Sequence, residues 1–117
     1  MNWRETPRIY SGFFLIMKIY IAGKIGYLPV EVYTTLFKNA QIAHENLGYT
    51  VINPVELPHK HERTWKAYMR EDLKEVKTCD AIYMLNNWSD SRGARIEHWF
   101  AKRYNLKVIY QIGGLSC

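Results

Sequence analysis

Cysteine is scarce in this 117-residue chain, and its two copies, Cys79 and Cys117, are too few for a disulfide framework. A reduced, cytoplasmic setting is therefore the expectation. No uninterrupted apolar run approaches the ~20 residues that a membrane-crossing helix needs. Ile9–Ile21 comes nearest, but Lys18 breaks it and no small-residue cleavage site follows, which argues against a signal peptide. Basic residues never occur five in a row, so the net charge of +5 does not concentrate into a groove for a nucleic-acid polymer. Internal repeats and low-complexity segments are missing as well.

What is present suits one soluble globular domain. Apolar residues make up 48% and charged residues 23%, an ordinary balance for such a domain. The excess of 16 Lys and Arg over 11 Asp and Glu favours a small phosphorylated ligand over a nucleic-acid polymer.

Residues Met1–Ile16 carry Trp3, Pro7 and Gly12 with no clean period and are expected to form an arm outside the core. The domain itself is expected over 17–117. Its first strand is Lys18-Ile19-Tyr20-Ile21-Ala22, followed by the glycine-punctuated loop Gly23–Pro29. A helix from about Pro29 to Leu47 places Val32, Leu36, Ala40 and Ala43 at helical spacing, with Gly48 as its stop. Tyr49–Ile52 reads as a second strand, and Val55–Arg63 as a polar loop. A second helix, Thr64 to Thr78, aligns Trp65, Tyr68, Met69, Leu73 and Val76. Strand three is Asp80–Leu85, helix three runs from Ser91 to Asn105, and strand four is Lys107–Gln111.

Strands alternating with helices over short links imply a parallel sheet of four to five strands with helices on both faces. The expected fold is α/β, a flavodoxin-like or Rossmann-like three-layer sandwich with strand order 2-1-3-4. In that order the sheet reverses between strands one and three. A ligand should therefore sit beyond their carboxyl ends, at the loops that begin with Gly23 and Asn86.

Two acids interrupt the apolar stripes of the helices. Asp72 follows Tyr68 by four residues and precedes Val76 by four, while Glu97 follows Gly93 by four. An isolated buried carboxylate costs several kcal/mol, so a shared cleft is the expected destination of both. An ion pair with Arg92, Arg95 or Lys102 is the structural alternative for Glu97. For Asp72 the alternative is a bond to backbone or to Tyr20. Tyr20 itself could orient a carboxylate or be a satisfied core tyrosine. Ser91 caps helix three, a role compatible with binding phosphate at the same helix end. Gly93 allows a ligand or a neighbouring element to come close. Trp88 is the best candidate to stack on a flat base, with Trp65 and Trp99 as core or rim residues. His59 and His61 lack a third ligand at a known spacing, so no metal site is expected. Cys79 is expected to be a buried, inert thiol.

Three ordered motifs resemble a known family. They are Ile19-Tyr20-Ile21-Ala22-Gly23, Gly48-Tyr49-Thr50-Val51-Ile52-Asn53-Pro54, and Ser91-Arg92-Gly93-Ala94 with Glu97 beyond it. Together with Met69-Arg70-Glu71-Asp72-Leu73 they resemble the nucleoside 2-deoxyribosyltransferase superfamily, in particular its short bacterial and phage members. The resemblance runs from about Met17 to Ile112. It implies an N-glycosidic-bond enzyme in which Glu97 attacks the anomeric carbon, Tyr20 positions it and Asp72 assists departure of the base. It implies no cofactor and a nucleoside or nucleotide as the small-molecule partner; a homodimer or larger homo-oligomer is expected because a four-stranded sheet leaves an edge and incomplete helix cover. Ser91 is similar to the serine of the deoxynucleoside 5′-monophosphate N-glycosidases, which contacts phosphate, and Arg92 is a further expected phosphate contact. Gly23, Lys24, Trp88 and Gly93 complete the expected substrate-binding set. Lys24 stands where the family usually has proline, and the segment after strand four is short. The rival expectation is thus a non-catalytic nucleotide-binding or signalling module with the same fold.

Overall fold

The computed structural model describes residues 9–10, 14–15, 17–58 and 64–112. His59, His61, Trp3 and Cys117 lie outside the described residues. Four parallel strands form the central sheet: β3 (Lys18–Ala22), β4 (Thr50–Ile52), β5 (Ala81–Met84) and β6 (Lys107–Tyr110). Their spatial order is β4-β3-β5-β6, the 2-1-3-4 order expected. A second, antiparallel pair, β1 (Ile9–Tyr10) with β2 (Phe14–Leu15), falls in the stretch where the sequence pattern suggested no element.

Side-chain alternation along β3 divides the core. Tyr20 and Ala22 point into one cluster with Ile82, Met84, Val76, Ala94 and Ala101, beneath the helices α2 (Trp65–Lys77) and α3 (Arg92–Arg103). Ile21 points the other way, into a cluster with Leu85, Phe37 and Ala40 of α1 (Val30–Asn46). This parity is what sends Tyr20 towards α3 and its acid.

Helix α1 buries a different stripe from the one the spacing suggested. Val32, Leu36 and Ala43 are exposed, whereas Phe37, Ala40 and His44 are buried and Tyr33 packs beside them. The two stripes overlap at Ala40, and the chosen one covers the large Phe37 and Tyr33 rings. His44 is accommodated by its Nδ1, 2.8 Å from the Ala40 carbonyl, and by the Tyr83 ring at 4.2 Å. The helix stops where expected, with Gly48 at φ +96° closing the end through its N–H to Glu45 O. Thr64 and Ser91 cap α2 and α3 by accepting the N–H of Ala67 and Ala94, each at 3.1 Å. The thiol of Cys79 is buried and donates to Glu75 O, and burial pushes its pKa up to about 11.

Gly23, just past β3, is demanded by packing. A Cβ there would lie 2.6 Å from Leu85 Cδ1 and 2.9 Å from Leu85 Cβ. Leu85 is itself fully buried, so it has little room to retreat. Gly23→Ala is expected to destabilise the fold by roughly 2 kcal/mol. Thermal denaturation should show Tm lowered by about 10 °C; an unchanged Tm would contradict this packing account.

Candidate active site

At the carboxyl ends of β3 and β5 a cavity of about 670 Å³ opens between the loop after β3 and the first turns of α2 and α3. Its size falls within the ~300–1,000 Å³ typical of small-molecule sites. Gly23, Lys24, Asp72, Ser91, Arg92, Gly93 and Glu97 all line it. Gly93 explains how α2 and α3 converge there. A Cβ on it would meet Met69 Sδ at 3.2 Å, so the bare glycine lets the two helices approach closely.

Glu97 lines the cavity, and Tyr20 lies buried behind it rather than in the lining. The Tyr20 hydroxyl donates to Glu97 Oε2 at 2.6 Å, and both side chains are buried. This short bond joins residues 77 positions apart in sequence. Two of the basic neighbours considered for Glu97 are engaged elsewhere: Arg95 donates to Ser89 O, and the Arg92 guanidinium lies 4.3 Å over the Trp65 ring. Asp72 comes from α2 to the same cavity, with its Oδ1 buried.

The electrostatics follow from burial. Removal from water raises the Glu97 carboxyl pKa, the negative charge of Asp72 raises it further, and the Tyr20 hydrogen bond pulls it partly back, leaving it at about 8. Burial, then the charges of Glu97 and Asp72, hold the Tyr20 phenol well above its ordinary value, so it stays a donor. Glu97 is therefore largely protonated at neutral pH, and it sheds that proton in mildly alkaline solution.

Tyr20→Phe removes the interaction that favours the ionised carboxylate. The rising limb of any rate that needs ionised Glu97 should then move to higher pH, by roughly one pH unit. A kcat/KM profile superimposable on the wild type would contradict that role.

Trp88 does not line the cavity. Its ring packs 4.3 Å from the His98 ring and beside Tyr110, against the core that contains Ala94 and Ala101 of α3. His98 Nε2 lies 2.7 Å from the Tyr110 hydroxyl, which completes that cluster. The aromatic walls are supplied instead by Tyr33, Phe37, Trp65 and Tyr68, with Pro54 from the loop after β4, while Tyr27 stands exposed at the mouth. One signal for Pro54 was available in sequence. β4 neighbours β3, so the Asn53-Pro54 end of that strand must reach the same mouth.

Lys24 lies in the cavity wall, with its backbone N–H held by Asn87 Oδ1 at 3.0 Å. This bond ties together the loops that follow β3 and β5, the two flanking the sheet reversal. Among the described residues no group of three His, Cys, Asp or Glu is arranged to hold a metal ion. No helix among them is long and apolar enough to cross a membrane.

Residues 17–110 match the family model described as a domain of unknown function, DUF4406. The chain belongs to this family. Two solved structures are similar to the DUF4406 domain described here. One is a 2-desoxiribosyltransferase from Leishmania mexicana, with TM-score 0.63 and 15% identity, aligned over 80% of this chain and 63% of that one. The other is a 2-deoxyribosyltransferase from Bacillus psychrosaccharolyticus, with TM-score 0.60 and 21% identity, over 86% and 77%. At these identities the likeness shows a common α/β fold. The DUF4406 chain spans less than two thirds of the Leishmania mexicana protein. No curated protein matches the sequence.

Proposed function

We propose that this protein is a short nucleoside 2-deoxyribosyltransferase-like enzyme that breaks the N-glycosidic bond of a (deoxy)nucleoside or its 5′-monophosphate. The observation that carries this reading is that Glu97 and Asp72 line one cavity, with Glu97 held from behind by the buried 2.6 Å hydrogen bond from Tyr20. In the first step the ionised Glu97 carboxylate attacks the anomeric carbon. A carbon–oxygen bond forms to Glu97 as the carbon–nitrogen bond breaks, and the base leaves with its electron pair and a proton supplied by Asp72. Water then attacks the same carbon and gives its proton to the Asp72 carboxylate, the bond to Glu97 breaks, and the sugar is released with Glu97 again ionised; a second base in place of water would give transfer.

The step requires the proton that burial and the Asp72 charge hold on Glu97 to pass to Asp72 before the attack, so that the nucleophile is ionised and the acid protonated at the same moment. Both similar structures are 2-deoxyribosyltransferases, which supports the reading. Ser91 and Arg92 at the start of α3, with Lys24 across the mouth, favour a 5′-phosphorylated substrate, since the helix end and both cations attract an anion. Exposed Val30, Val32 and Leu36 on α1 favour assembly into a homo-oligomer.

The test is a panel of deoxynucleosides and their 5′-monophosphates, followed by chromatography for free base. Release of a base is the expected result, faster from monophosphates. Calorimetric binding of the same ligands without release would favour the non-catalytic module that Lys24 suggests. Neither binding nor release would sink both readings.

A further inference from the structure

The loop between β3 and α1 contains a tyrosine in a costly position. Leu28 N–H donates to Ile25 O at 3.2 Å, closing a four-residue turn with Gly26 and Tyr27 at its centre. Tyr27 adopts φ +68°, whereas Gly26 is not among the residues with positive φ. Such a turn calls for glycine at the third position, and here glycine stands second while tyrosine takes the strained place. No packing offsets the strain, because the Tyr27 side chain is 103% exposed, as open as in an isolated peptide. Its surroundings are open too, since a Cβ on Gly26 would meet nothing within 4 Å. Yet this turn borders the cavity above Glu97.

A large aromatic ring held in a strained turn, in solvent, at the mouth of a cavity gains contacts only when something flat occupies that mouth. Resting on the glycosidic reading above, we infer that Tyr27 is the residue that stacks on the nucleobase, its turn folding inward as the ligand enters. Tyr33 and Tyr68 are half-buried and Phe37 is buried, and Trp65, the other exposed aromatic of the lining, is less free for this task. One face of Trp65 is covered by the Arg92 guanidinium at 4.3 Å, whereas both faces of Tyr27 are open. Stacking is tolerant of base identity because every base has a π-face. Tyr27 therefore sets affinity for a planar ring rather than for one base, and its closure shields the anomeric carbon from water until the base has left.

The experiment is calorimetric titration in a Glu97→Gln background, which prevents turnover. The ligands are the four common deoxynucleoside 5′-monophosphates and, as a base-free control, 2-deoxyribose 5-phosphate. Tyr27→Gly relieves the backbone strain and so keeps the fold, which a thermal melt verifies. It should weaken the monophosphates tenfold or more, the size that stacking on an aromatic carries, while binding of the sugar phosphate stays within twofold. Tyr27→Phe should restore the monophosphate affinity. Unchanged monophosphate binding in Tyr27→Gly, or an equal loss for the base-free control, overturns the inference and leaves the glycosidic reading standing. Failure of the Glu97→Gln protein with native Tyr27 to bind any monophosphate overturns both.

Discussion

Glu97→Gln is expected to lose base release by roughly 10⁴-fold or more while remaining folded. An amide is nearly the size of the acid it replaces and still accepts the Tyr20 hydroxyl, so the 2.6 Å contact survives in kind. What it lacks is an oxygen able to form an ester with the sugar. Because the proposed route passes through that ester, intact-mass spectrometry of acid-quenched wild type should reveal protein carrying one sugar, and the variant should show none. Asp72→Asn should cost less, about 10²–10³-fold, since a leaving base can be protonated by water at a slower rate. Equal base release by wild type and Glu97→Gln would remove the mechanism outright.

The same substitution should raise stability in alkaline solution. In the unfolded chain Glu97 ionises near the ordinary 4.5, but in the folded protein it keeps its proton to about 8. Between those values the folded state binds more protons than the unfolded one, so stability falls as pH rises. Its contribution is fully present below about 4.5 and lost as pH climbs through 8, with a ceiling of about 5 kcal/mol. His98 acts in the opposite sense. Burial, then the Lys102 charge, lowers its pKa, which makes stability rise as pH rises towards 6.5. The informative quantity is therefore the difference between variant and wild type. Chemical denaturation should find Glu97→Gln and wild type alike at pH 4.5, with the variant the more stable by several kcal/mol at pH 9. A constant gap across that range would mean that Glu97 ionises normally and is better solvated than its burial implies.

Catalysis and stability thus pull on one group in opposite directions. The pocket that dries Glu97 penalises its ionised form, the form the proposed chemistry uses. Tyr20 returns part of that penalty through its hydrogen bond, which is why a tyrosine occupies a β3 position otherwise flanked by Ile19 and Ile21.

Much of this arrangement was legible before any coordinates. The alternation of elements and the short links led to the 2-1-3-4 order, and that order located the cavity at the ends of β3 and β5. Asp72 and Glu97 stood out because they broke apolar stripes, and both line the cavity. Other features were not legible. Two stripes on α1 shared Ala40, and nothing in their spacing said that the Phe37 side would be covered. Trp88 sat in a loop at the right end of the sheet, but the direction of its ring depended on the His98 and Tyr110 rings awaiting it. Tyr27 carried no signal, since a lone aromatic after glycine reveals neither its φ nor its exposure.

Local forces account for what could be read along the chain. Strand alternation, helical spacing, the Thr64 and Ser91 caps and the Gly48 stop each involve neighbours a few residues apart. Their free energies are written into short segments. The ionisation of Glu97 is different in kind: its dry surroundings, the repelling Asp72 and the Tyr20 hydroxyl come from β3, α2 and α3 together. Desolvation sums over every atom that displaces water, whichever part of the chain supplies it, and so that property exists only once the fold has closed.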